Sequence, residues 1–209
     1  MNLLDKETAD VKKFWENQAD AWTNPDYHFL MTKPNWHAAI LSALKPFENH
    51  HRRNIGKTLD IGSGGLPSFY HPKSALEKTV ALDISKAALL KNPASNRVIC
   101  DARQPLPFQD ASYDSVSCFF LMRYMRNQMM LIDEMLRVLK PGGRIIIADF
   151  NNTGLVGGIE QEFKPYELKG NSNLRHSKDL DIKLIDGNPS EMGNPSLLLY
   201  FVTASKPRE

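Results

Sequence analysis

An apolar segment that runs directly into a glycine-rich turn is the feature of this sequence with the clearest chemical potential. The segment reads Leu59-Asp60-Ile61-Gly62-Ser63-Gly64-Gly65. A β-carbon at Gly62 or Gly64 would hold a ligand away from the backbone and would restrict the positive-φ conformations that such turns use. The N–H groups of the turn can donate hydrogen bonds to a bound acceptor group. A tight turn without any ligand is the alternative interpretation, and other residues must decide between the two.

Two further apolar runs also end in an acidic residue. Asp83 follows Val80-Ala81-Leu82, about twenty residues after the glycine turn, and Asp101 follows Val98-Ile99-Cys100. Because the carboxyl ends of parallel strands meet at one edge of a sheet, Asp83 can accept hydrogen bonds from both hydroxyls of a ribose. Asp101 is placed to accept one from the exocyclic amine of an adenine. For Asp83, capping of a helix predicted over residues 85–90 is an alternative that is compatible with the first role.

Short β-type runs alternate with helical ones from Thr58 onward, and this alternation is typical of a parallel α/β sheet. The clearest helix is predicted from Asn127 to Lys140, because its apolar residues form one stripe and Pro141-Gly142-Gly143 follows. The last two runs are predicted to pair as an antiparallel edge. The predicted strands are residues 58–61, 79–84, 97–100, 113–121, 144–150, 181–185 and 197–204.

The remaining segments are expected to surround this core. The chain has 209 residues, which suits one domain. Residues 1–55 are predicted to form a helical cap, with one amphipathic helix over residues 6–22 and another after Pro34. Residues 56–150 form the predicted core, residues 151–178 a lid-like loop and residues 179–209 a closing hairpin. The aromatic residues of the cap, Trp15, Trp22, Tyr27 and Trp36, are expected to line the acceptor cavity or to pack within the cap, and packing alone accounts for Trp15 and Trp22.

Composition restricts the classes of function. The chain is 42% hydrophobic and 24% charged, with a net charge of +2, so it is predicted to be a soluble globular protein without the large basic surface of a nucleic-acid binder. No apolar stretch approaches the roughly 20 residues of a membrane span. The two cysteines, Cys100 and Cys118, are expected to be reduced core residues. Because the first ten residues carry acidic and basic side chains instead of the apolar region of a signal peptide, we expect a cytoplasmic protein.

Together these motifs resemble those of class I S-adenosylmethionine-dependent methyltransferases, in particular the small-molecule "type 11" group. The resemblance covers residues 58–150 and includes Leu139-Lys140-Pro141-Gly142-Gly143 as the entry to the fifth strand. It implies a Rossmann-like fold, with a seven-stranded, mostly parallel sheet flanked by helices and closed by an antiparallel strand. It also implies S-adenosyl-L-methionine as the cofactor and a small molecule as the substrate.

The resemblance further assigns residues to the cofactor. Asp60, Gly62 and Gly64 would border its methionine part, Asp83 would hold the ribose, and Asp101 and Ala102 would contact the adenine. The complete predicted cofactor set is Asp60, Gly62, Ser63, Gly64, Asp83, Ile84, Asp101, Ala102 and Phe119. One position departs from the family pattern, since Leu66 stands where a third glycine is expected. That glycine serves the packing of helix on strand, so we expect Leu66 to shift the helix more than it blocks the ligand.

The acceptor side is less determined. Methyl transfer needs alignment and exclusion of water more than a dedicated base, and no catalytic residue is predicted. Tyr27, Tyr124 and His176 are candidate acceptor-side residues, although a lone Tyr or His is more often structural. Asp149 suggests a metal site of the catechol methyltransferase kind, but the fourth strand ends without a matching acid, and no metal is predicted.

Two other classes of function stay open. The first is an enzyme that binds S-adenosylmethionine but catalyses other chemistry, such as cyclisation within the cofactor or rearrangement of a bound product. The second is a non-catalytic partner subunit, which the departure at Leu66 favours and the three acidic strand ends disfavour. A nicotinamide dehydrogenase ranks lower, because Asp101 and the closing hairpin fit S-adenosylmethionine better.

Overall fold

A single β-sheet organises the computed structural model, which describes residues 8–23, 56–65, 73–150, 169–170, 180–186 and 198–207. Within these residues the sheet has seven strands. They are β1 (Thr58–Ile61), β2 (Thr79–Asp83), β3 (Asn96–Ile99), β4 (Tyr113–Phe119), β5 (Leu139–Phe150), β6 (Asp181–Asp186) and β7 (Leu198–Ser205).

The strand order explains where a ligand can bind. The order is β3-β2-β1-β4-β5-β7-β6, and the strands β1 to β5 pair with one another in parallel. β7 runs antiparallel to both β5 and β6. From β1 the chain continues to β2 and β3 on one side of β1, and then to β4 on its other side. At this reversal of strand order a crevice opens outside the carboxyl ends of the strands. The predicted Rossmann-like fold class is confirmed, including its antiparallel closing strand.

Burial on both faces explains the apolar composition of the central strands. All four residues of β1 are buried, as are six of the seven residues of β4, which is expected for parallel strands covered on both sides. Thr58 and Ser115 tolerate this burial because their hydroxyls hydrogen-bond to each other at 2.8 Å. The largest fully buried side chains are Tyr113, Leu59, Ile61, Leu82, Met122, Leu131, Ile132, Met135 and Leu139.

Three α-helices flank the sheet in the described part of the chain: α1 (Thr8–Thr23), α2 (Lys86–Lys91) and α3 (Gln128–Val138). Asn127 caps α3, since its side chain accepts a hydrogen bond from the backbone N–H of Met130 at 3.1 Å. Short 3₁₀ turns cover Lys73–Lys78 and Met122–Tyr124. Among the described helices, none has the length and apolarity needed to cross a membrane.

The run Pro141-Gly142-Gly143 does not separate helix from strand as predicted. α3 ends at Val138 and β5 begins at once, because Leu139 already pairs with Tyr113 of β4. Gly142 and Gly143 exchange backbone hydrogen bonds of 2.9 Å with Lys206, which follows β7. The Lys206 ammonium also donates to the carbonyl oxygens of Leu136 and Leu139, at 3.0 and 2.9 Å, and so satisfies carbonyls at the end of the helix.

Other element boundaries shift by one or two residues. β3 and β7 are displaced by one position from their predicted ranges, and β4 ends at Phe119 instead of residue 121. The reason at β4 is Phe120, whose φ of 59° turns the backbone out of the strand while its N–H donates to the carbonyl of Ala148 at 2.8 Å. The second cap helix and, apart from residues 169–170, the lid-like loop lie outside the described residues.

A pair of leucine substitutions tests how the fold is stabilised. Leu131 of α3 is fully buried, whereas Leu90 of α2 is 68% exposed. Leu131→Ala is expected to lower the free energy of unfolding by about 2–5 kcal/mol, and Leu90→Ala by about 0.5 kcal/mol or less. Urea denaturation measures both. Equal losses of unfolding free energy in the two variants would contradict the described packing of α3 on the sheet.

Candidate cofactor and acceptor cavity

A cavity lies at the carboxyl ends of the parallel strands and is bounded by α1. The structure brings all nine residues predicted to bind the cofactor to its wall, together with Tyr124. Tyr27 and His176 lie outside the described residues. The wall consists of Val11, Trp15, Ala19, Asp60, Gly62, Ser63, Gly64, Gly65, Leu82, Asp83, Ile84, Ser85, Ala88, Cys100, Asp101, Ala102, Arg103, Phe119, Phe120, Leu121, Tyr124 and Met125.

The glycine turn is fixed to the neighbouring strand by its own backbone. The N–H groups of Gly62 and Ser63 donate to the carbonyl oxygen of Leu82, at 2.8 and 3.1 Å. Gly62 has a φ of 70° and Gly64 one of 55°, which are conformations that favour glycine. A β-carbon at Gly62 would also lie 3.0 Å from the side chain of Leu121. At Gly64 the corresponding position has no atom within 4 Å, so the backbone there faces open space.

Asp60 holds the turn from below. Its carboxylate is 1% exposed and accepts hydrogen bonds of 2.7 Å from the hydroxyls of Ser63 and Ser117. A buried carboxylate needs such donors to offset its desolvation. Asp60 therefore links β1, the turn and β4, besides lining the cavity.

Asn92 holds the turn from the other side, and sequence reasoning did not identify it. Its side-chain amide donates to the Ser63 hydroxyl at 2.8 Å and to the Gly64 carbonyl at 2.9 Å. Its own oxygen accepts from the N–H of Ala94 at 2.9 Å. Nothing in the sequence around Asn92 distinguishes it from an ordinary residue at the end of a helix, since its partners lie 28 and 29 positions away.

Asp83 connects the turn with the start of α2. One carboxylate oxygen accepts from the N–H of Gly64 at 2.9 Å, and the other accepts from the N–H of Ser85 at 2.9 Å. Burial raises the pKa of this carboxyl above its usual range, against the lowering effect of these hydrogen bonds. The alternative in which Asp83 caps the helix is wrong, because Ser85 is the cap and its hydroxyl accepts from the N–H of Ala88.

Asp101 carries a different electrostatic environment. Its carboxylate is bound by the Arg103 guanidinium, with the shortest contact at 2.7 Å, and by the hydroxyl of Thr8 from α1 at 2.8 Å. Burial raises the pKa of Asp101, but the hydrogen bonds from Arg103 and Thr8 outweigh it and the net pKa is lowered. Asp101 is thus held ionised. The sequence predicted the acid but not its arginine partner two residues away.

The wall next to β4 is aromatic. Phe119 and Phe120 lie with their rings 6.3 Å apart, and Tyr124 follows on the 3₁₀ turn. Phe120 has a positive φ, which is an unfavourable backbone conformation for a residue with a bulky side chain. Trp15 packs edge-to-face on Tyr124, with 5.0 Å between ring centroids. The prediction that Trp15 serves packing of the cap alone is therefore incomplete, because Trp15 also lines the cavity.

A buried ion pair lies behind this wall. Asp149 at the end of β5 is fully buried and lies 3.7 Å from the side chain of Arg123, which is itself 4% exposed. The N–H of Arg123 also donates to Asp149 at 3.2 Å. Asp149 therefore faces a cation of the chain itself. In the described part of the chain, no group of three or more His, Cys, Asp and Glu side chains is arranged to hold a metal ion.

Comparison with known proteins agrees with this geometry. Residues 59–147 match a family described as a methyltransferase domain. Demethylmenaquinone methyltransferase from Mycobacterium tuberculosis is 30% identical over 154 residues, covering 71% of this chain and 62% of that protein. The protein of the same name from Clavibacter sepedonicus is 32% identical over 152 residues, covering 71% and 61%. The chain thus spans less than two thirds of the length of these relatives.

Solved structures share the fold. Phosphoethanolamine N-methyltransferase 2 from Haemonchus contortus, in complex with phosphomonomethylethanolamine and S-adenosylhomocysteine, aligns with a TM-score of 0.67 at 14% identity, over 100% of this chain and 61% of that one. The [4+2]-cyclase SpnF aligns with a TM-score of 0.61 at 16% identity, over 85% and 84%. At these identities the likeness concerns the fold alone.

The raised pKa of Asp83 leads to a testable dependence of stability on pH. Because the folded-state pKa lies above the unfolded value, the contribution of this carboxyl to stability is fully present below the unfolded pKa and is lost as pH rises through the folded pKa. The unfolding free energy of the wild type should therefore fall, relative to Asp83→Asn, as the pH rises from about 4 to about 8. Urea denaturation across this range measures the difference.

Asp133→Asn is the matched control, since Asp133 lies on the exposed side of α3. It removes one carboxylate without touching the cavity. An unfolding free energy of the wild type that rises relative to that of Asp83→Asn with increasing pH would contradict the assignment.

Proposed function

We propose that this chain, whose residues 59–147 match a methyltransferase domain, is a class I S-adenosylmethionine-dependent methyltransferase that transfers the methyl group of S-adenosylmethionine to a small-molecule acceptor. The observation that carries the proposal is the convergence of nine predicted cofactor residues, from four strand ends, on the wall of one cavity. The curated relatives are longer than the part of them that matches this chain, so the activity of the whole protein is a proposal.

The residues present fit this cofactor. The open space beside Gly64 leaves the backbone of the turn accessible to the methionine part of a ligand. The Asp83 carboxylate accepts backbone hydrogen bonds from Gly64 and Ser85, with a further contribution from Ile84, and its remaining acceptor capacity is available to a ribose hydroxyl. The Asp101 carboxylate already accepts from Arg103 and Thr8, so an adenine amine would share or displace one of these hydrogen bonds.

Methyl transfer would then depend on placement. When bound, the cofactor supplies an activated methyl group on a sulfonium. The residues of this chain would hold that group at the carboxyl ends of β1 and β4, and α1, which lines the cavity, would limit the access of water. No side chain is assigned as a catalytic base.

The aromatic wall supports a more specific proposal for the acceptor. Trp15, Phe119, Phe120 and Tyr124 line the same cavity, and such a wall suits a flat, largely apolar molecule. The relatives from Mycobacterium tuberculosis and Clavibacter sepedonicus are demethylmenaquinone methyltransferases. We therefore propose an apolar, ring-bearing acceptor, with Tyr124 as the acceptor-side polar group. Tyr27 and His176 stay candidates on the sequence pattern alone.

Two further proposals concern organisation and location. We propose that residues 1–55 form the cap over the cofactor-binding core of residues 56–150, and that residues 151–178 act as a lid before the closing hairpin of residues 179–209. α1 supports the first part, since it lines the cavity. Cys100 and Cys118 are free thiols, which suits a reducing compartment, and we propose a cytoplasmic protein.

Binding of the cofactor product tests the proposal directly. The protein is expected to bind S-adenosylhomocysteine in calorimetric titration with a Kd on the order of micromolar. Asp83→Asn should weaken this binding about tenfold, equivalent to about 1.4 kcal/mol, because one acceptor for the ribose hydroxyls is lost. Asp133→Asn is again the control. If the folded wild type does not bind S-adenosylhomocysteine, the hypothesis of a non-catalytic partner subunit becomes the better explanation.

Product analysis separates methyl transfer from other chemistry on the same fold. Incubation with S-adenosylmethionine and a panel of quinol, phenol and amine acceptors is expected to yield S-adenosylhomocysteine and a methylated acceptor. Formation of methylthioadenosine without any methylated product would instead indicate cyclisation within the cofactor. Liquid chromatography with mass spectrometry distinguishes the two outcomes.

A further inference from the structure

The helix α1 forms one wall of the cavity. Val11, Trp15 and Ala19 lie four residues apart, on one face of the helix, and all three line the cavity. Val11 and Ala19 are 6% and 4% exposed. The position of α1 therefore determines how closed the cavity is, so the contacts that fix α1 also affect the cavity.

Glu16, next to Trp15, makes the most extensive of these contacts among the described residues of α1. Its carboxylate accepts hydrogen bonds from the backbone N–H groups of Lys86 and Ala87, at 2.9 and 2.8 Å, and from the Ser85 hydroxyl at 3.2 Å. The first N–H groups of a helix have no partner within the helix. Glu16 supplies that partner from another element, about 70 residues away along the chain.

The contact continues from Glu16 into the cofactor site. Ser85, whose hydroxyl donates to Glu16, also donates its backbone N–H to Asp83 at 2.9 Å. Asp83 in turn accepts from Gly64 of the turn at 2.9 Å. Ser85 is 1% exposed, so this path runs through a buried residue. A continuous series of hydrogen bonds thus joins α1 to the ribose acid and to the glycine turn.

We propose that Glu16 is a positioning residue for the cofactor site: by binding Ser85 and the start of α2, it holds α1 closed over the cavity and sets the orientation of Asp83. This inference rests on the proposed function. Glu16 does not line the cavity. It acts through Ser85 on Asp83 and through Trp15 on the acceptor side of the wall.

An ion pair between the same two helices offers a matched control. Asp20, one turn further along α1, pairs with Lys91 at the other end of α2. The Asp20 side chain is 94% exposed, and surface pairs of this kind contribute little. Asp20→Asn therefore removes a carboxylate from the same helix pair without touching the path from Glu16 to Asp83.

The first experiment compares the affinity and the dissociation rate of S-adenosylhomocysteine in four proteins: the wild type, Glu16→Ala, Glu16→Gln and Asp20→Asn. Glu16→Ala is expected to weaken binding about tenfold, mainly through faster dissociation, and Glu16→Gln about threefold, since glutamine keeps one acceptor oxygen. Asp20→Asn should bind like the wild type. If Glu16→Ala folds poorly, Glu16→Gln, which keeps the size of the side chain, decides the question.

A double-mutant comparison separates positioning from simple loss of structure. If Glu16 acts through Asp83, Glu16→Ala should weaken binding about twofold or less in the Asp83→Asn background, instead of about tenfold. A merely structural contact would cause the same fold-change in both backgrounds. Equal fold-changes would overturn the proposal, as would wild-type affinity and dissociation rate in Glu16→Gln.

The outcomes also separate this inference from the proposed function. If the folded wild type binds no S-adenosylhomocysteine, the proposed function itself fails. If the wild type binds S-adenosylhomocysteine and both Glu16 variants bind it as tightly as the wild type, the proposed function stands and the positioning role of Glu16 is refuted.

Discussion

Two backbone hydrogen bonds, from Gly62 and Ser63 to the carbonyl oxygen of Leu82, are the constraint on which the site depends. They fix the glycine turn at the end of β2, where Asp83 begins its own contacts. Asp60 and Asn92 then hold the turn from opposite sides. Since each of these side chains is buried, the turn has few alternative arrangements.

The acids at neighbouring strand ends have different electrostatic environments. Burial raises the pKa of Asp83, whereas Arg103 and Thr8 lower that of Asp101. Asp83 therefore reduces stability at neutral pH, a cost that is typical of residues arranged for binding. Asp101 has a cation of its own and no such cost. The pKa shifts of the two acids differ in direction because the loops around them supply different partners.

The fold alone does not determine the chemistry. A phosphoethanolamine N-methyltransferase and a [4+2]-cyclase both share it with this chain, so the reaction must be argued from the residues at the cavity. Here one part of the cavity wall is acidic and another is aromatic, and Arg123, next to Tyr124 in the chain, pairs with Asp149. That division supports the proposed transfer to an apolar acceptor.

The sequence by itself determined the sheet and the acids, because the alternation of apolar runs, the glycine turn and the acid after each strand are local patterns with known geometric consequences. It did not reveal Asn92, Arg103 or Glu16 as parts of the site, nor the continuation of β5 through Pro141-Gly142-Gly143. Glu16 lies about 70 residues from its partners in the chain, and β5 extends because Leu139 pairs with Tyr113. Such contacts between distant residues depend on tertiary packing, which local spacing does not encode.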